Sequence, residues 1–301
     1  MILSASRRTD IPGYYSEWLM NRLREGYASY RNPMNHAQIS KVLLTPDKVD
    51  CIVFWTKDPF HMMARLEELD TLGYHYYFQF TLTPYGLPYG DTFLGKEIEP
   101  HLRDKKEIIQ TFQNLSEQLG KERVLWRYDP IILNDTITMQ YHLELFQYLC
   151  DKLSGYTEPC TISFVDMYSK LSNKLKVQTL SEIKEEQMHS LASAFTEIAK
   201  PYRISLRACC EAIDLSTDGV LPASCIDLKT VERVCGHSIT LKKDKHQRAH
   251  CGCMQSVDIG AYNTCRNGCI YCYANHSMTS INKNCEKHDP ASPIMIGSLE
   301  E

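Results

Sequence analysis

The sequence has no apolar stretch long enough to cross a bilayer. Its longest apolar runs are short, for example CIVFW at residues 51–55. A membrane helix needs about 20 consecutive apolar residues. The first residues do not combine a basic segment with an apolar core, so no secretion signal is predicted. We therefore expect a cytoplasmic protein with no membrane partner.

An excess of positive charge is also missing. The net charge is -4 at pH 7 and the pI is about 6.3, which excludes a chain-wide basic field for nucleic acid and leaves only a local basic patch. No internal repeat or low-complexity linker is visible. The 301 residues, 43% of them hydrophobic, can bury one large core, and one enzyme-sized globular unit is expected.

What the sequence has in excess is cysteine, with 13 residues. Thiols stay reduced in the cytosol, so a high count there indicates metal binding or catalysis rather than disulfides. Three of them lie in or beside apolar runs and are interpreted as small buried hydrophobes, namely Cys51, Cys150 and Cys160. The others are concentrated in the C-terminal third, at Cys209, Cys210, Cys225, Cys235, Cys251, Cys253, Cys265, Cys269, Cys272 and Cys285.

Short β-branched or aromatic runs alternate with longer amphipathic stretches along the chain. The predicted strands are residues 2–6, 51–56, 76–83, 124–130, 161–166 and 203–208, and the predicted helices are 15–25, 59–69, 106–119, 138–152 and 181–199. This alternation predicts an α/β fold, a partial (β/α) TIM-like barrel of parallel strands. Residues 1–208 supply the main β/α units, and the cysteine-rich residues 209–301 complete the same barrel.

Polar and charged residues follow each predicted strand, where barrel enzymes build their sites. Such residues also serve as ordinary turns and helix caps. Six such clusters in succession nevertheless favour a site, and four basic residues among them suit an anionic or carboxylate ligand, namely Arg7, Arg8, Lys57 and Arg127. Aromatic residues near the strand ends can stack a nucleobase, line a small-molecule pocket or pack in the core, namely Trp55, Tyr85, Tyr89, Trp126 and Tyr168.

Cys265, Cys269 and Cys272 form the pattern C-x3-C-x2-C after a predicted strand at residues 257–262. Three thiolates at this spacing can bind three irons of a [4Fe-4S] cluster and leave the fourth iron open to an exogenous molecule. The alternative is zinc, with Cys251 or Cys253 as the fourth ligand, although structural zinc sites usually combine two C-x2-C-like pairs.

A second cluster is predicted upstream. Cys251 and Cys253 form a C-x-C pair, which together with Cys209 and Cys225 can supply four ligands. Cys210 is the alternative to Cys209. In the competing interpretation these thiols are only buried, and the C-x-C segment caps a turn.

The motif C-x3-C-x-aromatic-C, with Tyr271 as the aromatic residue, resembles the cluster motif of the radical S-adenosylmethionine (radical SAM) superfamily. Over nearly its full length the sequence also resembles the DUF1848 family, in SASRRTDIP near the start, VFWTKDP, KDKHQR, CGC and DIGAYNTCRNGCIYCYAN. The superfamily carries its motif after the first strand of a partial β/α barrel. The resemblance therefore implies a circular permutation, in which residues 257–262 form the first strand and residues 2–6 the second.

The resemblance implies a cluster that reductively cleaves S-adenosylmethionine to methionine and a 5'-deoxyadenosyl radical. The superfamily's glycine-rich GGE-like segment is absent after residues 2–6, so Thr9 or Asp10 is expected to take the methionine amino group and Arg7 or Arg8 its carboxylate. The implied partners are an electron donor such as flavodoxin or ferredoxin and a substrate of unknown identity, a small molecule or a nucleobase. The alternative is an iron–sulfur or zinc protein with a redox or nucleic-acid-binding role and no radical chemistry.

Overall fold

The computed structural model describes residues 1–165, 182–245, 247 and 251–299. The strands are β1 (Ile2–Ala5), β2 (Tyr27–Asn32), β3 (Asn35–Leu43), β4 (Cys51–Thr56), β5 (Tyr76–Thr81), β6 (Pro88–Tyr89), β7 (Thr92–Phe93), β8 (Val124–Ile131), β9 (Pro159–Phe164), β10 (Ser205–Cys209), β11 (Leu221–Ala223) and β12 (Ser256–Asp258). The helices are α1 (Ile11–Tyr14), α2 (Ser16–Glu25), α3 (Phe60–Met63), α4 (Leu66–Thr71), α5 (Lys105–Leu119), α6 (Met139–Leu153), α7 (Glu185–Ala199), α8 (Leu228–Cys235) and α9 (Met278–Cys285).

Eight strands form one sheet in the order β12-β1-β4-β5-β8-β9-β10-β11, and every neighbouring pair is parallel. Strands from both predicted ranges, 1–208 and 209–301, share this sheet. The α/β class and the parallel sheet are therefore confirmed. The sheet is open, because β11 and β12 do not pair with each other in the part of the chain that the structure describes.

The strand order follows the chain order except for β12, which lies beside β1. Leu3 is opposite Val257, and Ser4 is opposite Asp258. The permutation hypothesis requires this pairing and would have failed without it. If the chain order is counted from β12, the strands follow one another across the sheet from one edge to the other. In that order α9 comes after β12 and before β1.

The two faces of the sheet are covered differently. One face packs on the helices, in a core that includes Phe54, Phe78 and Trp126. The other, which we call the inner face, carries Val53, Tyr77 and other residues that pack on segment 225–254 and on α8. Because side chains alternate between faces along a strand, the paired strands also place Ser4, Trp55, Gln79, Arg127 and Cys209 on the inner face.

The predicted helices form where capping residues and apolar spacing agree. In α5 the side chain of Asp104 accepts a hydrogen bond from the Lys106 amide at 2.8 Å, and the helix ends at Gly120. Ile108, Phe112 and other apolar residues at three- and four-residue intervals are buried. The predicted helix 59–69 instead divides into α3 and α4, and the antiparallel hairpin β2–β3 was not predicted.

None of the described helices is long and apolar enough to span a membrane. The polar cluster at residues 166–170, which includes Tyr168, lies outside the described residues.

Candidate metal centres

The C-x3-C-x2-C segment, which we call the first cysteine loop (residues 265–272), follows β12. Asn267, between its first two cysteines, is buried. Its side-chain oxygen accepts a hydrogen bond from the Tyr14 hydroxyl at 2.6 Å, and its side-chain nitrogen donates to Asp10 at 3.2 Å. These contacts attach the loop to α1. Residues near the N-terminus therefore hold in place the backbone that carries the C-terminal cysteines.

Gly268 gives the first cysteine loop its turn. Its φ of +71° is in the left-handed region, and a Cβ atom at this position would lie 2.5 Å from Cδ2 of His101. Two residues on, the Ile270 amide donates to the Ile98 carbonyl at 3.1 Å. The loop is therefore packed against segment 95–105.

The three thiols of this loop influence one another electrostatically. Burial raises the pKa of Cys265 well above its usual range, and the thiols of Cys269 and Cys272 raise it further. Burial also raises the pKa of Cys269 to about 12, against the opposing effect of Lys57. The three sulfurs do not form a group within 4.8 Å, among the described residues. The loop therefore does not bring its three sulfurs as close together as a preformed site for one metal ion would.

A buried ion network supports the first cysteine loop. Glu99 accepts hydrogen bonds from Lys57 at 2.7 Å, from Lys105 at 2.5 Å and from the Tyr271 hydroxyl. Burial alone would raise the pKa of Glu99, but Lys105 and Lys57 outweigh it and hold the pKa well below its usual range. Thr83 also donates to Glu99, at 2.8 Å. The network keeps Lys57 and Tyr271, both predicted cofactor-binding residues, beside Cys269.

The residues predicted to hold S-adenosylmethionine after β1 differ in their availability. Asp10 already accepts hydrogen bonds from the amides of Gly13 and Lys57 and from Asn267, and it caps α1. Arg8 donates to the Gly260 carbonyl at 3.3 Å. The buried hydroxyl of Thr9, in contrast, has no hydrogen-bond partner among the described residues. Thr9 therefore keeps a hydroxyl for a ligand, whereas the carboxylate of Asp10 is already used by three donors.

Cys209, Cys225 and Cys253 form what we call the second cysteine group. Their sulfurs all lie within 4.8 Å of one another, and those of Cys209 and Cys225 are 3.0 Å apart. The Met254 amide donates to the Ile226 carbonyl at 2.9 Å, which holds two of these segments side by side. Cys251 is buried nearby but is not a member, and Cys209 rather than Cys210 contributes.

Hydrogen bonds from Cys209 and Cys225 lower the pKa of Cys253. This group therefore holds one sulfur in a state that favours the thiolate, which is the form that binds metal. Three such ligands fit a metal ion or three corners of a cluster.

Two arginines predicted from the strand ends face the second cysteine group. Nη1 of Arg127 lies 2.9 Å from Sγ of Cys225, and Nη2 donates a hydrogen bond to the carboxylate of Asp129. The Arg7 and Arg127 guanidinium carbons lie 4.7 and 5.5 Å from the centre of the Trp55 ring. Arg7 and Arg127 therefore lie at the second group, whereas Lys57 lies at the first loop.

Sequence reasoning missed several residues of these sites. Tyr77 and Gln79 both donate to the carbonyl of Cys225, at 3.1 and 2.6 Å, and Glu99 and Lys105 form the buried network. A glutamine inside an apolar strand was the available signal for Gln79, because a buried amide needs partners. Of the aromatic residues, Trp126 and Tyr85 are buried in the core, and Trp55 is half-buried between the two arginines.

A family model described as a domain of unknown function, DUF1848, matches residues 2–274. No curated protein matches the chain. The matched region contains β1 to β12, the second cysteine group and the whole first cysteine loop. The chain therefore belongs to the DUF1848 family.

Proposed function

We propose that the protein is a radical SAM-like enzyme with its barrel circularly permuted. The single observation that carries the proposal is the pairing of β12 with β1, which puts the first cysteine loop after the edge strand of a parallel sheet whose order is sequential from that edge. Cys265, Cys269 and Cys272 would hold a [4Fe-4S] cluster, which, once reduced by an electron donor, would supply the electron for reductive cleavage of bound S-adenosylmethionine and so for hydrogen abstraction from a substrate.

The chain's own residues orient this chemistry. Asn267 and Gly268 fix the backbone of the first cysteine loop. The Thr9 hydroxyl is available to a polar group of the cofactor. Lys57 favours the thiolate of Cys269, because a nearby positive charge stabilises the negative form. An electron donor such as flavodoxin or ferredoxin is the partner that this reaction requires.

The test uses anaerobically purified and reconstituted protein. Reduced protein with S-adenosylmethionine is expected to form 5'-deoxyadenosine, and the cofactor is expected to shift the EPR signal of the cluster. Cys269→Ala should abolish both and remove about four irons per chain. The matched control is Cys150→Ala, in the buried core of α6, which should keep both.

A second candidate is a metal-binding protein with a redox or nucleic-acid-binding role and no radical chemistry. The close sulfurs of the second cysteine group favour it, because they can hold one zinc or iron ion without any cluster. Two measurements distinguish the candidates. This candidate requires either that the first cysteine loop holds no iron and sulfide, or that the EPR signal of its cluster does not change when S-adenosylmethionine is added.

A further inference from the structure

The second cysteine group has three thiols where the sequence predicted four. Cys251 shares its apolar surroundings but does not join the three close sulfurs. Nη1 of Arg127 instead lies 2.9 Å from Sγ of Cys225. A positive guanidinium therefore lies beside the three close sulfurs, and no fourth thiol of the described residues joins them.

Arg7 adds a second guanidinium to the same place. Its Nη1 donates a hydrogen bond to the Ser256 hydroxyl at 3.4 Å. No carboxylate of the described residues lies within 4.0 Å of its guanidinium. Burial lowers the pKa of Arg7, but Cys253, Cys225, Asp258 and Tyr273 together outweigh it. Arg7 thus stays charged beside the cysteines and keeps donors for a further ligand.

Gln79 provides a polar atom of the opposite kind. Because its nitrogen donates to the Cys225 carbonyl at 2.6 Å, its oxygen is the remaining atom. That oxygen is buried and has no hydrogen-bond partner among the described residues. A buried acceptor of this kind requires a donor, such as a hydroxyl or amino group.

Arg7 also connects the two cysteine sites. Its carbonyl accepts a hydrogen bond from the Tyr273 hydroxyl at 2.9 Å, and Tyr273 directly follows Cys272. Its guanidinium lies over the Trp55 ring, as does that of Arg127, which contacts Cys225. Arg7 therefore links the segment after the first cysteine loop to the surroundings of the second cysteine group.

We propose that the second cysteine group is the substrate site: Cys209, Cys225 and Cys253 hold a metal centre with one open position, and an anionic oxygen group of the substrate binds there between Arg7 and Arg127. A hydroxyl or amino group of the same substrate donates to Gln79. Arginine binds carboxylate and phosphate alike through paired donors, so the substrate class is a carboxylate or phosphate ester that also carries a hydrogen-bond donor. The role as substrate site rests on the proposed function, whereas the anion site itself does not.

The first experiment counts metal. In the variant Cys265→Ala/Cys269→Ala/Cys272→Ala, which lacks the first site, Cys209→Ala should remove the remaining metal, and Cys251→Ala should retain it. Loss of metal in Cys251→Ala would show a closed four-thiolate site and overturn the proposal.

The second experiment measures anion binding by calorimetric titration of this triple variant, with citrate as the carboxylate probe and inorganic phosphate as the other. One of the two probes should bind, and which one binds shows whether the anionic group of the substrate is a carboxylate or a phosphate. Arg7→Gln and Arg127→Lys should each weaken that binding about tenfold or more, since the first removes the charge and the second removes the planar pair of donors. The control Arg24→Gln, in an exposed pair with Glu68, should leave the affinity unchanged.

Absence of binding by both probes, or equal affinity in Arg7→Gln and the control, would overturn the anion site. If the triple variant loses all its metal, the same titrations on protein with the first cysteine loop intact decide the question. Anion binding without any formation of 5'-deoxyadenosine would refute the proposed function alone, and the reverse result would refute this inference alone.

Discussion

The hydroxyl of Tyr271 donates a hydrogen bond to the buried carboxylate of Glu99, and so joins the first cysteine loop to the ion network below it. Tyr271→Phe should lower the free energy of unfolding by about 2 kcal/mol, because the bond is to a charged, buried acceptor. Tyr273, on the other side of Cys272, is half exposed and donates to a backbone carbonyl. Tyr273→Phe should lower the free energy of unfolding by only about 0.5 kcal/mol. Urea unfolding of the reconstituted protein measures both variants, and equal losses of stability would contradict this ranking.

Glu99→Gln should destabilise the protein by about 3–5 kcal/mol at pH 7, since it leaves Lys57 and Lys105 buried without a counter-charge. Glu68→Gln is the control, because its pair with Arg24 is exposed and worth at most about 1 kcal/mol. Denaturant midpoints of the two variants give the comparison.

The same carboxylate gives the protein an acid limit. The pKa of Glu99 is lowered from its ordinary value of 4.5, so its contribution is complete above pH 4.5 and is lost as the pH falls toward the lower native pKa. Stability that stays constant between pH 4.5 and pH 2 would contradict this assignment.

His142 makes stability depend on pH in a higher window. Burial lowers its pKa from 6.5 to about 4. Its Nε2 lies 2.8 Å from the Ile132 carbonyl and must donate, so Nδ1 accepts from the Tyr128 hydroxyl. Between pH 6.5 and 4 the unfolded chain binds a proton that the native state does not, and stability should fall by about 3 kcal/mol as the pH drops.

His142→Gln should flatten the profile between pH 6.5 and 4.5, a range in which the contribution of Glu99 stays constant. The exposed His276 is the control, and His276→Gln should retain the wild-type slope. Unfolding curves recorded at half-unit pH intervals measure both, and an unchanged slope in His142→Gln would reject the assignment.

Gly260, between β12 and the first cysteine loop, allows the loop to approach β1. A Cβ atom there would lie 2.5 Å from Cβ of Ser6 and 3.2 Å from Cγ2 of Thr9. Gly260→Ala should cost about 1–3 kcal/mol and reduce the iron that the first cysteine loop holds. Gly236→Ala, where nothing lies within 4 Å but φ is +73°, controls for backbone strain alone and should keep the iron.

Sequence reasoning recovered the parts of the molecule that local patterns encode. The apolar runs at β4, β5 and β8 predicted buried parallel strands, which the sheet confirms, whereas the ligand role of Cys265, Cys269 and Cys272 stays a prediction. Three-residue β11 is too short to carry a pattern. The β2–β3 hairpin was missed because polar residues interrupt its alternation.

The supporting residues of the sites could not be predicted in the same way. Gln79 and Cys225 are 146 positions apart, and Arg127 and Cys225 are 98 apart. Such contacts depend on which strands become neighbours, and no local periodicity records this. Cys251 shows the same limit, since its C-x-C spacing suggested a ligand although only Cys253 joins the close sulfurs.

The position of β12 has a consequence for biosynthesis. Ser4 and Asp258 are 254 positions apart, yet their strands are neighbours. A chain that folds as it leaves the ribosome therefore carries β1 as an open, unprotected edge until β12 has been made. Nascent chains should therefore depend on chaperones more than those of a sheet of this size with its strands in chain order.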